Sequence, residues 1–330
     1  SPSQEPCPMS ESWPTWAIVA VTMVGWNLLS ALALRFTRFG RNKNLIVSSK
    51  IASVLTIAHR GSKLEGLIEN SMSAFKSSIV EKMDMIELDV WLSKDGQVVV
   101  FHDPSLKRMC GGKEGSVTES NYADLPPLVS VTGDGVSEPI PLFKDVLAML
   151  GDTCLIVEVK QDSDELIKKV NDMLVEHDRI MKGNTVWFSL KRKINKKLQK
   201  YNPTIPTICS IFEVVETLVL YATGLLPFVS LGYNIFGFPA DNMDAERLRT
   251  IVPFPMAVCR FIAWTVGGRP ARMFRFSSLN LHLRRRGMPI FLLGINDDSD
   301  IPSFELTHAT ACLTDRPKWL LSKKNMLKRE

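Results

Sequence analysis

Eight short apolar runs, separated by segments with helical spacing, constrain this 330-residue chain more than any other feature. They lie at residues 54–58, 85–90, 154–159, 185–189, 206–211, 234–238, 289–295 and 311–314. Strand-length runs alternating with helices read as βα units around a parallel sheet, because each parallel connection needs a crossover long enough to hold a helix. Between the first two runs Asn70 reads as a helix N-cap, and Met72, Phe75, Ile79 and Met83 form one apolar stripe. Residues 164–176 place Leu166, Val170 and Leu174 at similar spacing. The expected class is α/β, and eight such units fit a (β/α)₈ TIM barrel of about 250 residues.

One run breaks the scheme. Residues 98–102 follow the second strand too closely for a crossover helix, and Asp95-Gly96 is a strong two-residue hairpin signal. Residues 87–103 therefore read as an antiparallel hairpin in which Lys94 faces Gln97 and His102 comes opposite Asp89.

Composition narrows the function classes. Charged residues make up 23% and hydrophobic residues 45%, which excludes wholesale disorder. A net charge of +5 is far from a nucleic-acid signature. The six cysteines are scattered without a CxxC, so they read as reduced thiols rather than a metal site or a disulfide framework.

After a tail at 1–12, residues 13–34 carry no charge and span roughly 33 Å as a helix, enough for a hydrocarbon core. Glu5 and Glu11 precede the run, whereas Arg35, Arg38, Arg41 and Lys43 follow it in a basic linker over 35–50. This pattern predicts an uncleaved single-pass transmembrane anchor, with the domain at 51–320 in the cytoplasm and a basic tail at 321–330. The absence of a glycosylation sequon agrees with that side of an internal membrane such as the endoplasmic reticulum.

Four polar clusters end strands whose other residues read as core: His59-Arg60, Glu87-Leu88-Asp89, His102-Asp103 and Glu158-Val159-Lys160. With a period of two, Glu87 and Asp89 share one face, as do Glu158 and Lys160. Strand C-terminal ends converge at the mouth of a barrel. Glu87, Asp89 and Glu158 offer hard oxygen ligands suited to one divalent cation, Mg²⁺ or Ca²⁺. Arg60 and Lys160 suit phosphate oxygens, and His59 and His102 can move protons near neutral pH. A lone acidic residue in a strand is usually solvated, but four such clusters amid Ile, Val and Leu are hard to place on a surface.

Together with Glu69-Asn70 and the closing Leu313-Thr314-Asp315-Arg316-Pro317, these motifs resemble the glycerophosphodiester phosphodiesterase family from about residue 55 to 317. The resemblance implies a phosphatidylinositol-phosphodiesterase-like TIM barrel. It also implies His59 and His102 as the acid–base pair, Glu87, Asp89 and Glu158 as metal ligands, and Arg60 and Lys160 as phosphate contacts. Glu69, Asn70 and Asp103 would support them. The N-terminal run and the segment 223–229 resemble the animal branch acting as lysophospholipase D, which implies cleavage of lysophosphatidylcholine-type lipids to lysophosphatidic acid and a free alcohol. Leu293 stands where the family commonly has Trp.

Within the barrel, residues 212–266 form an apolar insert, read as an interfacial flap admitting an acyl chain from membrane lipid, with ordinary barrel packing or a second membrane pass as the alternatives. The basic runs at 191–200 and 284–286 read as solvated helix faces. Two rival readings are a glycerophosphodiesterase releasing glycerol 3-phosphate from water-soluble diesters, and a catalytically silent membrane scaffold.

Overall fold

The structure, a computed structural model, describes residues 15–35, 46–132, 135–239 and 269–327. The expected tail at 1–12, most of the basic linker, the insert beyond residue 239 and the last three residues lie outside the described residues.

Helices α1 (Thr15–Arg35) and α2 (Ser49–Ala52) precede β1 (Thr56–Ala58), α3 (Met72–Val80) and β2 (Met85–Leu92). An excursion follows, carrying β3 (Val98–Val100), β4 (Leu128–Val129) and β5 (Ser137–Glu138). The chain then alternates through α4 (Phe143–Leu150), β6 (Cys154–Val159), α5 (Asp164–Glu176), β7 (Thr185–Phe188), α6 (Arg192–Tyr201) and α7 (Ile211–Ala222). It finishes with β8 (Phe236–Pro239), α8 (Arg269–Arg285), β9 (Ile290–Leu293), α9 (Ile301–Leu306), β10 (Ala311–Thr314), α10 (Pro317–Ser322) and α11 (Lys324–Leu327).

The parallel strands run in the order β7-β6-β2-β1-β10-β9-β8. Residues 206–208 bridge the remaining gap, Thr207 pairing with Trp187 and Ile208 with Ile235, both parallel. The result is a TIM-barrel-like fold, and each expected run falls on one of its staves. All residues of β2 and β6 are buried, which explains why their apolar runs are unbroken except at Glu87, Asp89 and Glu158. On α5, Leu166, Val170 and Leu174 are fully covered, as their spacing demands.

The hairpin is present, but its register is shifted by one residue. Val90 faces Val100 and Leu92 faces Val98, so the Phe101 amide rather than His102 meets Asp89, donating to its carbonyl at 3.0 Å. Ser93 and Gln97 close a three-residue loop with Gly96 at φ 78°, so Gly96 takes the left-handed position that converts a two-residue turn into a longer one. The excursion after β3 folds over its own small core, which includes Ile68, Trp91, Phe101, Leu106 and Met109.

The expected transmembrane anchor is not supported. Among the described residues no helix is long and apolar enough to cross a membrane, so the single-pass anchor, its cytoplasmic orientation and the internal-membrane placement are withdrawn. Instead α1 lays a face on the domain. Trp26 Nε1 donates to the Thr223 carbonyl at 2.8 Å, its ring meets Phe228 at 6.1 Å, and the His282 ring pairs with the Leu34 carbonyl at 3.0 Å. A Cβ on Gly224 would come within 2.8 Å of Ser30 Cβ, so the approach requires glycine. A charge-free helix can cover its apolar side with protein as well as with lipid, and linear composition does not distinguish the two.

Two smaller expectations also change. Ser71, not Asn70, caps α3, its hydroxyl accepting from the Ala74 amide at 3.2 Å, while Asn70 sits at φ 57°. Arg286 is not on a solvated face but buried, donating to the carbonyls of Leu226 (3.3 Å) and Val229 (2.8 Å). The run on α6 does behave as expected, with Lys193 and Lys197 paired to Asp162 in solvent. Cys110, Cys154, Cys209 and Cys312 are buried free thiols.

Candidate active site

The site forms where β1, β2, β6 and β10 end. In parallel register Asp89 lies beside Glu158 and Glu87 beside Ile156, so period-two alternation turns Glu87, Asp89 and Glu158 to the barrel interior. All three are buried, and one oxygen from each lies within 4.8 Å of the others. Lys160, the first residue past β6, sets its Nζ 2.8 Å from Asp89 and 2.7 Å from Glu158.

Beyond β1 the chain turns sharply, with Arg60 at φ 53°, a conformation costly for a side chain with a Cβ. Two bonds hold it there: the Arg60 amide donates to Glu87 at 3.0 Å, and its carbonyl accepts from the Asn70 amide at 2.9 Å. The guanidinium then reaches Glu69 at 2.8 Å and Asp89 at 3.3 Å, while Asn70 Nδ2 donates to Asp89 at 2.8 Å. Gly61 lets this turn press on α3. At its φ of 78° an added Cβ would meet Ala74 and Phe75 at 2.9 Å. Gly61→Ala is therefore expected to cost about 1–3 kcal/mol, read as a lowered midpoint in thermal melts followed by circular dichroism.

Both histidines face a carboxylate through Nδ1: His59 meets Asp315 at 2.6 Å, and His102 meets Asp103 at 2.5 Å. A carboxylate can only accept, so Nδ1 carries the proton and each Nε2 is left for chemistry. His59 Nε2 lies 3.9 Å from Glu87.

The charges are tightly balanced. Burial, and then Asp89, push the Glu87 carboxyl well above the usual range. Burial also leaves Glu158 raised, although Lys160 pulls it down. Burial acts on Asp89 in the same direction, but Lys160 and Arg60 outweigh it and hold that carboxylate well below its ordinary value. Burial lowers His102, favouring its neutral ring. Six carboxylates (Glu69, Glu87, Asp89, Asp103, Glu158, Asp315) face three permanent cations (Arg60, Arg108, Lys160), and this donor set with excess negative charge fits a hard divalent ion.

His59, Arg60, Glu87, His102, Glu158, Lys160 and Asp315 line one wall of a cavity of about 320 Å³. Its other wall is apolar: Phe188, Leu190, Ile208, Ile211, Val214, Val215 and Leu218, with Leu293 also lining it. The chosen residues His59, Arg60, Glu87, Asp89, His102, Glu158 and Lys160 thus come together, with Glu69, Asn70 and Asp103 behind them. Two partners were given no role from sequence. Asp315 ends the eighth strand as His59 ends the first, a signal that strand-end logic could have used. Arg108 lies in the excursion, where no periodicity marks it.

The sequence profile of the glycerophosphoryl diester phosphodiesterase family matches residues 59–223. The chain is 31% identical over 309 residues to human lysophospholipase D GDPD1, covering 90% of this chain and 93% of the relative. The chain belongs to the glycerophosphodiester phosphodiesterase family. It stands in the animal lysophospholipase D-like branch and is a phosphodiesterase by kinship. Human lysophospholipase D GDPD3 is 29% identical over 269 residues, covering 79% of this chain and 81% of the relative. Among solved structures, the family domain of Mycobacterium tuberculosis Rv2277c superposes with a TM-score of 0.59 at 16% identity, over 82% of this chain and 99% of that one. The Oleispira antarctica phosphodiesterase in complex with sn-glycerol-3-phosphate gives 0.57 at 18%, over 82% and 96%. These structural likenesses establish the fold.

Proposed function

We propose that this protein is a divalent-metal-dependent lysophospholipase D, adding water across the bond between phosphate and headgroup of a lysophospholipid to give lysophosphatidic acid and a free alcohol. The observation that carries this reading is the two-sided cavity, with charged groups at the strand ends and an apolar wall from α7 in one continuous space. A water-soluble diester such as glycerophosphocholine has nothing to cover Val214, Val215 and Leu218. An acyl chain does, at about 0.8 kcal/mol per methylene removed from water. The names of the animal relatives point the same way. In this reading the described part of the apolar insert is the lipid's side of the cavity.

Glu87, Asp89 and Glu158 would hold one Mg²⁺ or Ca²⁺. Bound there, the ion would supply Lewis-acid polarisation of the phosphoryl group and a nucleophile ionised near neutral pH. The chain's own groups do the rest. Arg60 and Lys160 hold non-bridging phosphate oxygens and stabilise the charge that grows there. His59 and His102 present Nε2 from rings fixed by Asp315 and Asp103. Between them they take a proton from the attacking oxygen and deliver one to the leaving alcohol.

The test is choline release by the purified protein from lysophosphatidylcholine and, separately, glycerophosphocholine. Each is run with Mg²⁺, Ca²⁺ or chelator, alongside His59→Ala and Glu87→Ala. Release from the lysolipid that vanishes in chelator and in both variants is expected. Release from glycerophosphocholine alone would make the protein a glycerophosphodiesterase and the apolar wall mere packing. Silence on both with metal bound and the barrel folded would point to another headgroup, whereas silence without metal binding would favour the scaffold.

A further inference from the structure

We infer that Arg108 is a positioning residue that ties the proton-transfer side of the site to its phosphate side, an inference resting on the phosphodiesterase reading above. Its guanidinium is shared by two carboxylates. Nη1 and Nη2 donate to the two oxygens of Glu69 at 3.1 and 2.6 Å, and Nε donates to Asp103 Oδ2. Each carboxylate passes the constraint inward. The second oxygen of Asp103 receives Nδ1 of His102, and Glu69 Oε1 also accepts Arg60 Nη1 at 2.8 Å. One side chain therefore sets His102 through Asp103 and Arg60 through Glu69. Arg108 is not among the residues lining the cavity, so it acts through these partners rather than on substrate.

The arrangement differs from an ordinary surface ion pair, which contributes little. The Arg108 side chain is 41% exposed, but Glu69 is only 4% exposed and is shared between two guanidiniums. The arginine also rides on a built platform. Leu106, Met109 and Cys110 are buried in the excursion's core, and the Cys110 amide closes the turn onto the Leu106 carbonyl at 2.9 Å. A planar fork suits two acceptors at fixed angles; a lysine ammonium could serve either carboxylate but would not fix both. Without the fork, Asp103 can swing on its own bond and the His102 ring loses its anchor. Arg60 keeps Asp89 at 3.3 Å, so phosphate binding is hurt less than proton transfer.

Arg108→Ala, Arg108→Lys, Asp103→Ala and the Arg108→Ala/Asp103→Ala double variant test this. Choline release from lysophosphatidylcholine gives kcat and KM, and ¹⁵N NMR of the metal-free, histidine-labelled protein reports the ring tautomers. A kcat about 10–100-fold lower in Arg108→Ala is expected, with KM changed less than threefold. Asp103→Ala should add less than threefold on top, and Arg108→Lys should recover only part of the loss. In both arginine variants the His102 Nδ1-protonated signal should be lost or averaged, with the His59 signal unchanged as an internal control. A His102 tautomer and a kcat both unaltered in Arg108→Lys, or additive losses in the double variant, would overturn the proposal. If the unmodified protein cleaves neither diester, the phosphodiesterase reading fails by itself, and the NMR arm still decides whether Arg108 orients His102.

Discussion

Glu87→Gln is expected to lower phosphodiester cleavage by about 10²-fold or more while raising the melting temperature of the metal-free protein. The two effects share one cause. Burial and the neighbouring Asp89 and Glu158 raise the Glu87 carboxyl well above its unfolded value, so the folded chain binds that proton more tightly than the unfolded one. Stability of the metal-free protein then falls as pH rises from the ordinary carboxyl range through the raised value, because the ionised group is better tolerated unfolded. Glutamine removes that charge yet still accepts from the Arg60 amide, as Glu87 does at 3.0 Å. The gain should be about 1–2 kcal/mol near neutral pH, a few degrees in melting temperature for a domain of this size, and the pH dependence should flatten. Saturating Mg²⁺ or Ca²⁺ should reverse the order, adding about 2.7 kcal/mol to the parent at a hundred times its dissociation constant and little to the variant. Thermal melts from pH 5 to 8 with chelator or metal read all of this. A variant less stable than its parent in chelator at pH 8 would show that Glu87 is a satisfied structural acid.

The second large effect concerns the opposite wall. Val214→Asp with Leu218→Asp places charge on the cavity face of α7, where both side chains are only partly covered, so the fold should tolerate them. Turnover of lysophosphatidylcholine is expected to fall about 10²-fold through KM, as a chain loses a few kcal/mol of apolar cover and meets carboxylates. The residues proposed to move protons and to hold a metal are untouched, so any cleavage of glycerophosphocholine should change less than threefold. Equal losses on both substrates would mean that the wall supports the barrel rather than an acyl chain. Point changes are the right probe, because removing residues 217–228 would take away Thr217 and Leu226, both fully buried.

The carboxylates were legible because they break a rule. Glu87, Asp89 and Glu158 stand in strands whose other members are all apolar, and alternation fixes which face they share. The hairpin was legible too, but its register was not, since that depended on whether Gly96 would take a left-handed place in a three-residue loop. Asn70 shows the same limit: its residue type suits a cap, yet the neighbouring serine caps α3 and the asparagine reaches Asp89 instead. The uncharged N-terminal run was misread because a linear scan sees the absence of charge, not the Thr223 carbonyl and the Phe228 ring that Trp26 meets.

Local order along the chain thus determined the alternating strands and helices, the barrel-like class and the acidic, cationic and imidazole groups of the site. These follow from side-chain periodicity and strand-end placement, which act over a few residues. Tertiary structure decided what each histidine leans on, how Arg108 joins two carboxylates, and that α7 supplies an apolar wall facing the charged strand ends. His59 and Asp315 are 256 residues apart in sequence and 2.6 Å apart in space. No local pattern encodes such a pair; it arises only when the first and last strands of the barrel lie side by side.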